Sequence, residues 1–367
     1  MTIQESEAPV LFEELAVSGG SGLRVGIARL NRPKQLNALT LEMCQMLLDR
    51  FRAWASDEGI VAVMLAGNGD KGFCAGGDVA GVIREVRAGG PRRFVYGDAF
   101  FDVEYTLDLL IHTFPKPLIS WAHGVCMGGG VGLTVGASHR IVSERSRIAM
   151  PEIHIGLFPD VGGGWFLNRL PGGVGTVMAL TGMIVDEADA IHAGLADYFV
   201  PEHARGAFID SLLALDWSGE PRADRERLTR FCLDQHKRWR EGLPVPKLRQ
   251  YAEAIRWIAA QPTVVEVRDA LLAAADEDPY FRVAADNLAK GSPTTAHVTF
   301  EYLRRTRQMS IAEVLALDLV MARRFQRLHD FGEGVRALLI DKDRAPKWSP
   351  ASFDEVSDEL VAAHFVE

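Results

Sequence analysis

From Leu23 to Pro33 the chain reads LRVGIARLNRP, with apolar and polar positions alternating until a proline ends the run. That period of two predicts a strand leaving into a loop. The period then changes: Leu41, Cys44, Leu47, Leu48, Phe51 and Trp54 recur at helical spacing behind Thr40, which can cap the first turn. IVAVMLA (Ile60–Ala66) and PLISWAHG (Pro117–Gly124) are short continuous apolar runs, the pattern of strands buried on both faces. A glycine-rich loop follows the first, then helical patterns from about Val79 to Ile111. After the second, GGGVGLTVG opens a helix, and HRIVSE and SRIAMP read as two further short strands. Strands alternating with helices predict an α/β layout.

The pattern shifts near Val200. Residues 215–227 (LDWSGEPRADRER) are polar with Gly and Pro and read as a linker, and the runs beyond them, such as SIAEVLALDLVMARRF, are helical with no strand signal. The expected division is an α/β core over residues 1–205 and a helical region over 206–367. At 367 residues, 48% hydrophobic and 24% charged, the chain has material for a sizeable core. A net charge of −9 argues against nucleic acid as a partner. No uncharged apolar run reaches membrane-spanning length, so no membrane partner is expected. Cys44, Cys74, Cys126 and Cys232 are scattered without a CxxC pair and read as reduced thiols in a cytoplasmic protein. The N-terminal MTIQESEAPV has neither signal nor transit character.

Three loops could carry chemistry. FCAGGD (Phe73–Asp78) and HGVCMGGGVGL (His123–Leu133) each follow a buried strand and place glycine just before a helix, where main-chain N–H groups lack helical partners. One such N–H from each loop would form an oxyanion hole for an acyl carbonyl. The third loop, MPEIHIGLFPDVGGG (Met150–Gly164), sets Glu152 and Asp160 among apolar residues. Burial disfavours the charged form of a carboxylate, and a desolvated one is a better base or nucleophile. A helix N-cap is the competing reading for Asp160, and a solvated face competes for Glu104 in FDVEYTL. Gly67–Gly72 (GNGDKG) matches GxGxxG, but more loop follows where a helix should begin and Asp70 would face a pyrophosphate, so it reads as a plain turn. The dispersed histidines, His123 and His154 among them, predict no metal site, and Cys74 and Cys126 read as buried small hydrophobes.

The ordered series NRPKQLNAL, FCAGGD, HGVCMGGGVGL, AMPEIHIGLFPDVGGG and LTG…DAIHAGLADYFV resembles the enoyl-CoA hydratase/isomerase (crotonase) superfamily. FPDVGGGWFL, GSPTTAHVTF and DFGEGVRALLIDKDRAPKW resemble its 3-hydroxyisobutyryl-CoA hydrolase branch. The resemblance implies a crotonase-like spiral of ββα units with helices closing one end. It implies Gly77 and Gly129 as the N–H donors to the thioester oxygen, Glu152 as a catalytic glutamate and Asp160 as an acid of the hydrolase branch. It also implies that Glu104, with Gly129, Glu152 and Asp160, contacts the acyl group, and that Arg32, Lys34, Gly76, Gly77 and Asp78 lie along CoA. No separate cofactor is implied, because CoA enters as part of the small-molecule substrate. Hydratases of the family often form trimers and hexamers, so a homo-oligomer is one expectation, although the helical tail here differs.

One position departs from the hydratase pattern. The first of the two hydratase glutamates lies three residues after the middle glycine of the GGG run, and here that position is Gly132. Hydration across a double bond then lacks half of its acid–base pair, whereas thioester hydrolysis needs only a polarised carbonyl and one carboxylate. The expected activity is hydrolysis of a short 3-hydroxyacyl-CoA such as 3-hydroxyisobutyryl-CoA, an intermediate of valine breakdown. Isomerisation or hydration within the superfamily, and CoA-ester binding without catalysis, are the alternatives.

Overall fold

The computed structural model describes residues 7–19 and 22–366. The chain divides into two compact units, one made of Met1–Gly77, Thr106–Ile148 and Val185–Val245, the other of Asp78–Tyr105, Ala149–Ile184 and Pro246–Glu367.

The first unit holds a six-stranded sheet of β1 (Val10–Ala16), β2 (Arg24–Leu30), β3 (Ile60–Gly67), β5 (Leu118–Ala122), β7 (His139–Val142) and β9 (Tyr198–Phe199), in that order. β1 and β2 pair antiparallel, and every later pair is parallel. Every residue of β3 is buried, as its unbroken apolar run requires of a central strand covered on both faces. Helix Leu41–Ser56 buries Cys44, Leu47, Leu48, Phe51 and Trp54 together with Met43, and Thr40 caps it by accepting from Met43 N at 3.2 Å. Gly26 is required where β2 passes this helix, since a Cβ there would sit 2.9 Å from the Trp54 ring.

A second, three-stranded sheet runs β4 (Gly72–Cys74), β6 (Val125–Met127) and β8 (Arg147–Ala149). The chain order is therefore a ββα repeat. β3–β4 leads to helix Val79–Ala88, β5–β6 to helix Gly129–Val135, and β7–β8 to the 3-10 turn Glu152–Ile155. The first strand of each repeat enters the large sheet and the second the small one. Gly77, Gly129 and Glu152 each follow the second strand of their repeat by two or three positions.

Two expectations change in detail. The helical stretch from Val79 is two helices, Val79–Ala88 and Val95–His112, broken where Gly89 and Gly90 take positive φ of 76° and 83° ahead of Pro91. Residues 215–227 are not a free linker. Trp217 is buried, and buried Asp224 accepts from the Ser218 and Gly219 N–H groups at 2.9 Å each. Pro221 opens helix Pro221–Trp239 behind Glu220, whose carboxylate accepts from Arg222 N and Ala223 N. No strand follows Tyr198–Phe199 among the described residues, so the chain beyond 205 is helical. Its helices are shared out: Phe208, Leu212, Leu228 and Cys232 pack with Val25, Ile27, Met64 and Trp121 of the sheet unit, while residues from Pro246 onward belong to the helical unit.

The helical unit includes Val174–Thr181, Val264–Glu277, Arg282–Lys290, Pro293–Thr306, Ile311–Phe325 and His329–Val335. Phe158 is fully buried between Tyr302, edge-on with centroids 5.1 Å apart, and Phe325 at 5.2 Å. These rings make an apolar wall behind the loop that carries Asp160.

Candidate functional site

In the sheet unit the two glycine-rich loops lie side by side. β4 and β6 pair in parallel with Cys74 opposite Cys126. Gly76 has φ 102°, and a Cβ on it would come within 3.2 Å of Met127 O and 3.6 Å of Gly129 N. A Cβ on Gly130 would meet Cys74 O at 2.4 Å, so glycine is what lets the loops approach. Leu39 N donates to Gly76 O at 2.8 Å and pins the first loop from the other side. Gly129 is the first residue of helix Gly129–Val135, whose cap residue Gly128 takes φ 50°. Val131 and Gly132 donate to Gly128 O, while the Gly77 and Gly129 N–H groups donate to no acceptor among the described residues. Two unsatisfied amides at neighbouring loops are what an oxyanion hole requires. Gly132 is buried inside this helix with no side chain to offer.

The other candidates from these loops are placed unevenly. Asp78 caps helix Val79–Ala88, its Oδ1 accepting from Gly81 N at 3.1 Å. Arg32 is half-buried and donates through Nη1 to Ala38 O at 2.7 Å, within its own loop. Lys34 is exposed and lines a groove of about 470 Å³ with Asp70, Lys71 and Gly72. Asn37 organises this loop and was missed by sequence reasoning. It is fully buried, accepts from Arg32 N, and donates to Asn68 O and Gly72 O at 3.0 and 3.1 Å. GNGDKG forms the turn between β3 and β4, with no helix inside it. His123 is buried with Nε2 2.9 Å from Gly69 O, and burial pushes the Cys126 thiol up to about 12, so neither is poised for chemistry.

The helical unit gathers the carboxylates. Glu152 opens the 3-10 turn Glu152–Ile155 and is 5% exposed, and its Oε2 has no hydrogen-bond partner among the described residues. Burial and then the charge of Asp160 hold its carboxyl well above the usual range. Asp160 is equally buried and accepts the Tyr105 hydroxyl on Oδ2 at 2.6 Å. Burial raises its carboxyl to about 6, against the lowering effect of the Tyr105 hydrogen bond. The N-cap reading for Asp160 does not hold: only its main-chain oxygen meets the next turn, from Gly163 N at 2.8 Å, and the short helix Gly163–Phe166 has no side-chain cap. Glu104 is 2% exposed, which removes the solvated-face reading, and burial first, then the charges of Asp160, Asp318 and Glu104, raise the neighbouring Tyr105 hydroxyl. His154 donates its main-chain N–H to Pro151 O at 3.1 Å, and burial lowers the pKa of its ring and favours the neutral form.

Buried acids, one of them with an unpartnered oxygen, are the groups that general-base or nucleophilic acyl chemistry uses, and unsatisfied amides such as those of Gly77 and Gly129 are the donors that an oxyanion uses. The description of the enoyl-CoA hydratase/isomerase family matches residues 25–365. The chain belongs to the enoyl-CoA hydratase/isomerase family. A member from Gallus gallus, described as a mitochondrial 3-hydroxyisobutyryl-CoA hydrolase, is 38% identical over 360 residues, which are 97% of this chain and 88% of that one. A member from Arabidopsis thaliana, 3-hydroxyisobutyryl-CoA hydrolase 1, is 35% identical over 98% of this chain and 92% of its own. A crystal structure of an enoyl-CoA hydratase from Rhodobacter sphaeroides 2.4.1 superposes with TM-score 0.83 at 35% identity, covering 98% of this chain and 97% of that one. The fold is thus the crotonase fold of this family, as the motif series implied. No helix among the described residues is long and apolar enough to cross a membrane.

Proposed function

We propose that this family member hydrolyses the thioester of a short 3-hydroxyacyl-CoA, 3-hydroxyisobutyryl-CoA above all, with a place in valine breakdown. The observation that carries the reading is the acid pair. Glu152 and Asp160 are buried together with Oε2 of Glu152 unpartnered, while Gly132 leaves the hydratase position empty of any acid. The curated relatives described as hydrolases of this ester support the same substrate.

In this reading the Gly77 and Gly129 amides serve the thioester oxygen as negative charge develops on it. Glu152 either attacks the carbonyl carbon or takes a proton from water that does. The C–S bond breaks, a C–O bond forms, the sulfur leaves as the thiol of CoA with a proton, and the water oxygen ends in the free hydroxy acid. Asp160 accepts from an O–H donor, the attacking water or the hydroxyl of the acyl group. Glu104 stands beside this pair through Tyr105, and Lys34 in its groove serves the CoA end, with Arg32, Gly76 and Asp78 shaping the loops. CoA enters and leaves as substrate, and the proposal includes no other cofactor. A cytoplasmic protein, assembled as a homo-oligomer, completes it; four free buried cysteines support a reducing compartment, and light scattering tests the assembly. The deciding experiment incubates the protein with 3-hydroxyisobutyryl-CoA and with a 2-enoyl-CoA of equal length. Free thiol from the first, faster than loss of enoyl absorbance from the second, is expected; the reverse order makes it a hydratase.

A further inference from the structure

Behind Asp160 lies a set of buried polar groups that the proposed chemistry does not use. The turn after Asp160 is strained. Val161, β-branched and buried, sits at φ 50°, and Gly162 follows at 81°. A β-branched residue stays in that region only when its surroundings over-determine it. Here they do. Asp318, fully buried in helix Ile311–Phe325, accepts from Gly162 N on Oδ2 at 2.8 Å. Its Oδ1 accepts the Tyr302 hydroxyl at 2.5 Å. That hydroxyl in turn accepts from Gly164 N at 2.8 Å. Two side chains from the C-terminal helices thus hold two amides of the turn, those of Gly162 and Gly164. On the opposite flank Tyr105 donates to Oδ2 of Asp160.

We propose that Tyr105 is the positioning residue of Asp160, and that Asp318 with Tyr302 clamps the turn on which Asp160 sits. The inference rests on the hydrolase reading for the part Asp160 plays. A single donated hydrogen bond fixes the carboxylate's rotation and favours its ionised form, because the bond to a charged acceptor is the stronger one. The clamp fixes where the carboxylate starts from. Among the described residues, the ionisable groups that interact with Asp160 are acids: Glu152 from the 3-10 turn, Tyr105 with Glu104 beside it from Val95–His112, Tyr302 from Pro293–Thr306, and Asp318. Donors are therefore the means by which this site keeps Asp160 charged, and Tyr105 supplies the one from a side chain.

The test is the pH profile of kcat/KM for thiol release from 3-hydroxyisobutyryl-CoA. Tyr105→Phe keeps the ring and removes the donor, so the acidic limb should move up by about one pH unit with KM little changed. Replacing Tyr105 with 3-fluorotyrosine leaves the ring in place with a stronger donor, so the limb should move down. It provides the answer if Tyr105→Phe does not fold. A limb that stays fixed in the fluorotyrosine protein, or in folded Tyr105→Phe, overturns the role of Tyr105. For the clamp, Asp318→Asn keeps an acceptor for Gly162 N and should stay within a few-fold of the native kcat. Asp318→Leu removes it and should lose at least about tenfold. Equal kcat for the two variants overturns the clamp. If the unsubstituted protein releases no thiol, the hydrolase reading itself fails, which is a different result from any of these.

Discussion

Gly130→Ala tests the two-loop arrangement with the smallest possible change. The methyl would sit 2.4 Å from Cys74 O and 2.9 Å from Cys74 Cβ, about 1 Å inside ordinary contact. Neither neighbour is the free end of a flexible chain. The oxygen is main chain of the last residue of β4, and the Cβ belongs to the same residue, which is paired across to Cys126. The strain must be relieved by moving one loop against the other. Gly129 N is adjacent to the added methyl and Gly77 N is three residues from Cys74, so the two amides separate. A displacement near 1 Å in a catalytic array costs about 10²-fold in rate, and a lost oxyanion donor about 10²–10³. The overpacking itself costs roughly 1–3 kcal/mol of stability. The expected variant therefore folds with a lowered Tm, binds CoA esters with KM within a few-fold, and loses about two orders of magnitude in kcat for thiol release. Gly206→Ala is the control. Gly206 is exposed in helix Arg205–Leu213 with nothing within 4 Å of the added methyl, so it should gain about 0.5–1 kcal/mol and keep full activity. A folded Gly130→Ala protein with native kcat would refute the reasoning that these loops hold the donors.

Other outcomes follow from the acids. Glu152→Gln should lower thiol release by about 10³-fold or more while calorimetric binding of CoA survives, because the carboxylate supplies chemistry and not affinity; near-native turnover removes Glu152 from the mechanism. In Asp160→Asn the charge that helps raise Glu152 is gone, so whatever activity remains should have its acidic limb at lower pH than the native enzyme. The same variant should be more stable at pH 8. A folded-state carboxyl raised from 3.8 to about 6 favours folding fully below 3.8 and loses that advantage as pH rises through 6, so its ionised form weighs against the fold by roughly 2–3 kcal/mol. Urea denaturation at pH 8 and at pH 4 checks the sign: the variant should be the more stable at the first, with the gap closing at the second.

The candidate site was legible where its proposed chemistry is local. Gly77 and Gly129 announce themselves as glycines placed between a buried strand and a helix, and Glu152 as an acid after proline in an apolar run. The supporting residues were not. Tyr105 lies 55 positions from Asp160, and Asp318 lies 156 positions from Gly162. Periodicity reports only which face of an element is apolar, and an acid inside SIAEVLALDLVMARRF looks like any solvated one. Asp224 escaped for the same reason, since its carboxylate turns a polar stretch with Gly and Pro into a fixed corner. Arg32 has a structural task that its sequence position does not announce, since one N–H of its guanidinium donates to Ala38 O within its own loop.

The departure at Gly132 and the helical C-terminal region have one explanation on the proposed reading. The first of the two hydratase acids would fall at Gly132, in helix Gly129–Val135, where regular backbone would hold it. Here the partner acid of Glu152 is at residue 160, on a turn that places Val161 at positive φ. Such a turn cannot hold a buried carboxylate by itself, because its amides lack helical partners and its backbone is strained. Helices Pro293–Thr306 and Ile311–Phe325 supply Tyr302 and Asp318 to take those amides, and Phe325 closes the ring wall over Phe158. Truncating the chain before Pro293 should therefore abolish thiol release even though Glu152, Gly77, Gly129 and Tyr105 all remain, since the amides of Gly162 and Gly164 would lose the side chains that hold the Asp160 turn.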